Sequence, residues 1–234
     1  MAFRAGIGTL GLAVALSGLI ATSASASGTS DREIAKAGVL TVDDMPAGYR
    51  QGSVPSMTAP RNNRACRTYY PEYRKLRRQT NARSPRFEQG NGQAVANIVY
   101  VWSDATGADE FMRIVSSSEI AGCLKDILAP NVKSSLKKDN VSYDSLTVDV
   151  GAESSPSVGD EQVSYQAKIT VRKGSSSEAL YADYQVVRVS RGVAAFNFLS
   201  AFTPFDQSDR SDIIGKSITR LGDALGVSVT TSTS

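Results

Sequence analysis

The residues best equipped for chemistry stand in one stretch, CRTYYPEYRKLRRQTNARSPR, which starts at Cys66 and ends at Arg86. From Arg61 to Arg86 the basic residues are Arg61, Arg64, Arg67, Arg74, Lys75, Arg77, Arg78, Arg83 and Arg86, and the sole acid is Glu72. The formal net charge of the whole chain is only +3, so the remainder is net acidic. Charge segregated in this way is a signal about partners and says little about fold. Arg74, Lys75, Arg77 and Arg78 are the candidate binding residues. Their chemistry suits an anionic component of the cell envelope, either a lipid headgroup or a wall polyanion. The competing reading is a solvated helix face with no partner, its long side chains lying over the apolar surface beneath.

Catalytic chemistry has little to work with. The chain contains no histidine, which removes the commonest general base, the Ser-His-Asp and Cys-His arrangements and the usual zinc sites. Ser134 and Lys137 match S-x-x-K, but the S-D-N and K-T-G elements of penicillin-recognising enzymes are missing. Asp206, Asp209 and Asp212 recur at threes without the central glycine and odd-position acids of a calcium loop; helix capping accounts for them. Asp43 and Asp44 have no identifiable partner pair for glycoside chemistry. The sequence therefore offers no catalytic residue, no metal ligand set and no cofactor motif. GIGTLG at Gly6 to Gly11 copies a dinucleotide fingerprint, yet it lies in an apolar leader, without the strand and helix that the fingerprint needs.

That leader runs from Ile7 to Ile20 behind Arg4 and is followed by Ala24-Ser25-Ala26, the pattern of a secretory signal peptide cut after Ala26. It is too short and too rich in Gly, Ser and Thr for a membrane span, and no cysteine stands beside the cut to carry a lipid. No transmembrane segment is expected in the mature chain. Export makes nucleic acid a poor partner despite the arginines. It also makes a Cys66 to Cys123 disulfide the default for the two cysteines. A loop of that length is worth about 4 kcal/mol in the chain-entropy treatment.

The elements that would position these residues follow from periodicity. Residues 27–37 read as a flexible lead-in. Pro71 to about Gln79 predicts a short helix with Tyr73 and Leu76 inward. AVANIVYVW, Ala94 to Trp102, predicts a buried central strand. A helical pattern capped by Ser103 or Asp104 carries Phe111, Ile114 and Val115, breaks near Ser116 to Ser118 or Gly122, and continues through Cys123 and Leu128 up to Pro130. The second half changes to period two. SLTVDV, VSYQAKITVR, ALYADYQVVRV and VAAFNFLSAF read as antiparallel strands, with Ser164, Gln166, Lys168, Thr170 and Arg172 on a wet face. A helix from about Asp209 to Leu225, stopped by Gly226, closes the chain ahead of a frayed tail at 227–234.

The order of elements resembles a family. VLTVDDMPAGY ahead of a first cysteine, GCL on a helix, SVGDEQVSYQAKIT and ADYQVVRVSRGVAAFNF are similar to the secreted sensor-type domains of actinobacteria. These include the extracellular domain of a mycobacterial receptor serine/threonine kinase. The resemblance covers roughly 38–226 and implies an α+β fold of PsbP/Mog1-like type, with about five to six antiparallel strands against helices. It also implies one sensor-like domain over 38–226, with Cys66 and Cys123 paired. The function expected on this basis is a secreted, extracellular or wall-associated, non-enzymatic module that binds a small ligand or an anionic envelope component. The alternative is an extracellular hydrolase with a histidine-free site.

Overall fold

The computed structural model describes residues 29–53, 66–67, 69–76, 79–155 and 157–230. The leader, Arg61, Arg64, Arg77 and Arg78 lie outside the described residues. Arg50–Gln51 (β1), Gln79–Arg83 (β2), Phe87–Glu88 (β3), Ala94–Trp102 (β4), Ser145–Ala152 (β5), Glu161–Lys173 (β6), Ser176–Val189 (β7) and Gly192–Ala201 (β8) form one antiparallel sheet. Its order is β1-β3-β4-β8-β7-β6-β5, with β2 also on β4. The helices are Asp31–Ala37 (α1), Tyr69–Lys75 (α2), Ala105–Val115 (α3), Glu119–Lys138 (α4) and Gln207–Leu225 (α5). The fold class is α+β, as the period-two second half implies.

The helices divide between the two faces because the long strands are apolar on both. On β4, Val95, Val99 and Val101 join a core with Phe196 and Phe198 of β8 and Ile213, Ile214, Ile218 and Leu221 of α5. Its Trp102 and Tyr100 face Phe111 and Met112 of α3. A third cluster sets Leu128 and Val132 of α4 over Val148, Ile169 and Ala182. One layer of helices, α1 and α5, therefore lies on one face, and α2, α3 and α4 lie on the other.

Four expectations change. Residues 31–37 are helix α1 and not a flexible lead-in: Ser30 and Glu33 close a capping box, and Ile34 and Ala35 are buried. Asn97, buried in β4, pins the following segment by accepting from the Leu40 N–H at 3.0 Å and donating to the Gly38 carbonyl at 3.0 Å. The start of the tail is docked as well. Val227 and Val229 pack on the core, and the Gly159 N–H donates to the Thr230 carbonyl. Helix α4 runs through Pro130 to Lys138, because Leu128, Ala129 and Val132 bury against β5 and β6 on both sides of the proline and outweigh its missing N–H. Finally, the wet face of β6 is divided: Ser164 is buried while Lys168 and Arg172 are exposed. Gly226, in contrast, stops α5 in the left-handed conformation as its position predicts (φ 71°).

Candidate functional site

Only the middle of the basic stretch is helical: α2 starts at Tyr69, two residues before Pro71, and ends at Lys75, short of the expected end near Gln79, because Gln79–Arg83 pairs with β4 as β2. Tyr73 and Leu76 turn inward onto the Trp102 cluster as their spacing predicts. Cys66 bonds Cys123 of α4 across a separation of 57 residues and anchors the segment ahead of α2. Arg74 and Lys75 are exposed. They are not surrounded by positive charge alone. Arg113 of α3 bridges Glu72 at 3.1 Å and Glu110 at 2.6 Å. Glu110 is held below the usual glutamate range first by its hydrogen bond from Arg113, with further help from the charge of Lys75. The fold thus brings acids beside the basic helix, and the excess seen in sequence is partly met locally.

Among the described residues, a second cluster of buried polar side chains lies where the first turns of α5 pack on β7. Asp206 caps α5, its carboxylate accepting from the Ser208 and Asp209 N–H groups at 2.8 and 3.2 Å. That places Arg210 on the inward stripe, four residues ahead of Ile214, with its side chain 4% exposed. Its two terminal nitrogens donate to both oxygens of Glu153 at 2.7 and 2.8 Å, a parallel fork. Asp183 of β7 takes only a side contact, with Oδ2 3.3 Å from the guanidinium. Its Oδ1 accepts from Gln166 Nε2 at 3.0 Å. Burial pushes the Asp183 carboxyl above the usual aspartate range, because Gln166 and Arg210 compensate it incompletely and the Glu153 charge adds to the rise. Gln185 and Ser164 complete the buried set, and Ser164 shares hydroxyl contact with Ser155 at 2.7 Å.

Beside this knot the sheet face is uncovered. An open bay of about 370 Å³ is lined by Asp149, Val150, Gly151, Ala152 and Glu153 of β5 and its exit, and by Gln166 and Lys168 of β6. Asp149 stands opposite Lys168, and Gly151 opposite Gln166. Two of the lining groups are fixed from behind: Glu153 by Arg210, and the Gln166 amide by Asp183. A small pocket of about 10 Å³ beside Arg210, lined by Ser155, Gln162 and Gln185 among others, has room for one water and nothing larger.

The sequence reading selected none of these residues. Arg210 was nonetheless visible as the one charged member of an otherwise apolar i, i+4, i+8 series, Arg210-Ile214-Ile218. Ser134 and Lys137 are exposed on α4, and Asp206 and Asp209 serve the α5 cap. Among the described residues no cluster of three or more Cys, Asp or Glu side chains could hold a metal, and no helix is long and apolar enough to cross a membrane.

No family profile and no curated protein sequence matches the chain. Among solved structures, the chain is similar to the extracellular domain of PknH from Mycobacterium tuberculosis, with a TM-score of 0.47 and 12% identity. That match covers 82% of this chain and 96% of the other. At this level no residue role or ligand passes from that domain to this chain.

Proposed function

We propose that the protein is a non-catalytic binding module of the cell exterior whose ligand docks in the bay between β5 and β6. The observation that carries this reading is the fate of the two neighbouring carboxylates. A hydrolase without histidine would draw its acid–base pair from carboxylates, and Glu153 and Asp183 are the two that Arg210 brings together beside the bay. Here one is held in a two-point fork by Arg210, and the other is buried beneath Gln166 with 1% side-chain exposure. What faces solvent is a set of fixed hydrogen-bonding groups around an open floor, an arrangement suited to holding a ligand. The Cys66–Cys123 bond and the signal-like leader support an exported setting. Attachment to anionic lipid headgroups or wall polyanions through Arg74, Lys75, Arg77 and Arg78 is a separate, weaker contact in this scheme.

Thermal unfolding of the exported protein with fractionated envelope extract tests the reading, since a ligand of the folded state raises the midpoint. The expected result is a rise for the natural chain that disappears in Gly151→Trp, whose side chain fills the bay. A rise that survives this substitution would overturn the site. Chemical turnover of the bound fraction that is lost in Glu153→Gln would favour the hydrolase.

A further inference from the structure

One guanidinium serves two carboxylates beneath the first turns of α5. Arg210 Nη1 stands 2.7 Å from Glu153 Oε2 and 3.3 Å from Asp183 Oδ2, so a small rotation exchanges one partner for the other. The two acids are not equivalent. The Asp183 side chain is 1% exposed, whereas that of Glu153, at the exit of β5, is 22% exposed. Water can hydrate Glu153 where it cannot reach Asp183. Yet the fork lies on Glu153, and the acid with less water has the poorer partner. For two ionised carboxylates this assignment is the wrong one, because an uncompensated charge costs most where burial is deepest. It is the right one when Asp183 carries a proton.

The unpartnered atoms agree with that protonation. Among the described residues Asp183 Oδ2 and Gln185 Oε1 have no hydrogen-bond donor, and Arg210 Nε has no acceptor. Asp183 and Gln185 are two apart on β7 and share the face under α5, where their cross-strand partners on β8 are the apolar Phe198 and Phe196. From β6 comes only the Gln166 amide on Asp183 Oδ1. From α5 come Arg210 and the capping carboxylate Asp206, whose charge also acts on Arg210. Arg210 is thus the cation for Asp183, Glu153 and Asp206 together. A proton on Asp183 Oδ2 removes surplus negative charge and turns an orphan acceptor into a donor. The upward push of burial on this carboxyl acts in the same direction.

Glu153 in turn carries the exit of β5, the last strand of the sheet. Its N–H donates to the Ser164 carbonyl at 2.9 Å, and two residues on, Ser155 Oγ lies 2.7 Å from Ser164 Oγ. The Arg210 fork ties this exit to α5.

We propose that Arg210 is a proton-controlled latch between α5 and the exit of β5. With Asp183 protonated, the fork holds Glu153 and the exit against α5. When the Asp183 carboxyl gives its proton to solvent, the guanidinium turns to Asp183, its idle Nε–H gains an acceptor, and Glu153 passes into water. The latch is closed at lower pH and open at higher pH. It goes beyond the binding reading and holds whether or not a ligand docks beside it.

Side-chain NMR of the exported chain from about pH 3 to about pH 8 tests the latch. The Asp183 carboxyl carbon is expected to titrate above the ordinary aspartate value of about 3.9, with the Arg210 guanidinium and Glu153 carboxyl signals moving at the same midpoint. Across that transition the exchange of the Glu153 amide, corrected for the intrinsic effect of pH, should accelerate at least about tenfold, or about 1.4 kcal/mol of lost protection. Asp183→Asn, neutral at every pH and of the same shape, should keep that amide protected throughout. Glu153→Gln should move the Asp183 titration downward, since Arg210 then has no rival acid. The natural chain decides the matter even where a variant fails to fold. Asp183 titrating at or below the ordinary value would overturn the proposal, as would a raised titration that Arg210 and Glu153 do not follow. Loosening of Glu153 at the same pH in Asp183→Asn, or an unmoved Asp183 midpoint in Glu153→Gln, would overturn it as well.

Discussion

Arg210 and Arg220 stand on the same helix and each reaches a buried aspartate, yet the two aspartates respond in opposite directions. Arg220 gives its fork to Asp44 at 2.6 and 2.7 Å, and the Thr41 N–H adds a third bond at 2.7 Å. Burial alone would raise Asp44, but these donors outweigh it and hold the carboxyl below the usual aspartate range. Arg210 spends its fork on Glu153 and leaves Asp183 a single lateral contact, so burial prevails there and the carboxyl rises. The decisive quantity is the number of well-aimed donors per carboxylate, not the presence of an arginine nearby. The first pair clamps the segment after α1 onto α5, since Arg220 also donates to the carbonyls of Ala37 and Val39. The second leaves one guanidinium shared by two acids at the border of the open bay.

The comparison can be broken most forcefully at Arg210. Arg210→Met would leave buried Asp183 and partly exposed Glu153 without their cation, and removing one partner of a buried charged set typically costs about 3 to 5 kcal/mol. Urea denaturation should show that loss. A fall of less than about 1 kcal/mol would mean that the knot is wetter than its geometry indicates.

Asp44→Asn should cost less, about 2 kcal/mol, because the charge-assisted bonds from Arg220 and Thr41 weaken while Arg220, about one-third exposed, recovers water. The loss should appear with early opening of α1, which hydrogen exchange can resolve from the rest of the sheet.

The pH response separates the pairs by sign. A carboxyl raised in the folded state leaves stability highest below its unfolded value, near 3.9, and costs stability as pH climbs through its folded value. Asp183 therefore contributes a decline towards neutral pH, and Asp183→Asn should flatten that limb. A lowered carboxyl contributes stability above its unfolded value and loses it as pH falls through the folded value. Asp44→Asn should accordingly flatten the acid limb, to which Asp206, Glu33, Glu110 and Glu119 also contribute by their lowered carboxyls. If both substitutions change the same limb, the proposed division of donors is wrong.

Much of the fold was legible because it rests on periodicity. AVANIVYVW is β4 from end to end, and the alternation of the second half yields the meander β5 to β8. What escaped were features set by tertiary contact. Pro130 reads as a stop until Leu128 and the partly buried Val132 are seen packed on the sheet on both sides of it. Residues 31–37 read as loop because only Ile34 and Ala35 of α1 are buried, too few for a periodic signal, although Ser30 with Glu33 was a capping box in plain letters. The site was the least legible part. Glu153, Asp183 and Arg210 lie far apart in sequence, and their meeting depends on strand register. Local charge density drew attention to α2, whereas the most preorganised groups stand where the chain is compositionally ordinary.

The smallest expected effect sets that contrast on a measurable scale. Changing Arg74, Lys75, Arg77 and Arg78 together to Gln removes four positive charges; Arg74 and Lys75 are exposed, and exposed charges contribute little to folding. The stability change should stay within about 0.5 kcal/mol. The same variant should lose binding to anionic vesicles at low salt if α2 attaches the protein to such surfaces. Each basic residue near an anionic membrane is worth about 1 kcal/mol at most, so four give at best millimolar association. Glu110 beside Lys75, and Glu72 paired with Arg113, reduce that further. A vesicle co-sedimentation series in which the natural chain and the quadruple variant bind alike would remove α2 as an attachment surface. A stability loss approaching that of Arg210→Met would show instead that the basic helix is held by ion pairs as firmly as the knot under α5, and the distinction between a preorganised and a merely dense cluster of charge would fail.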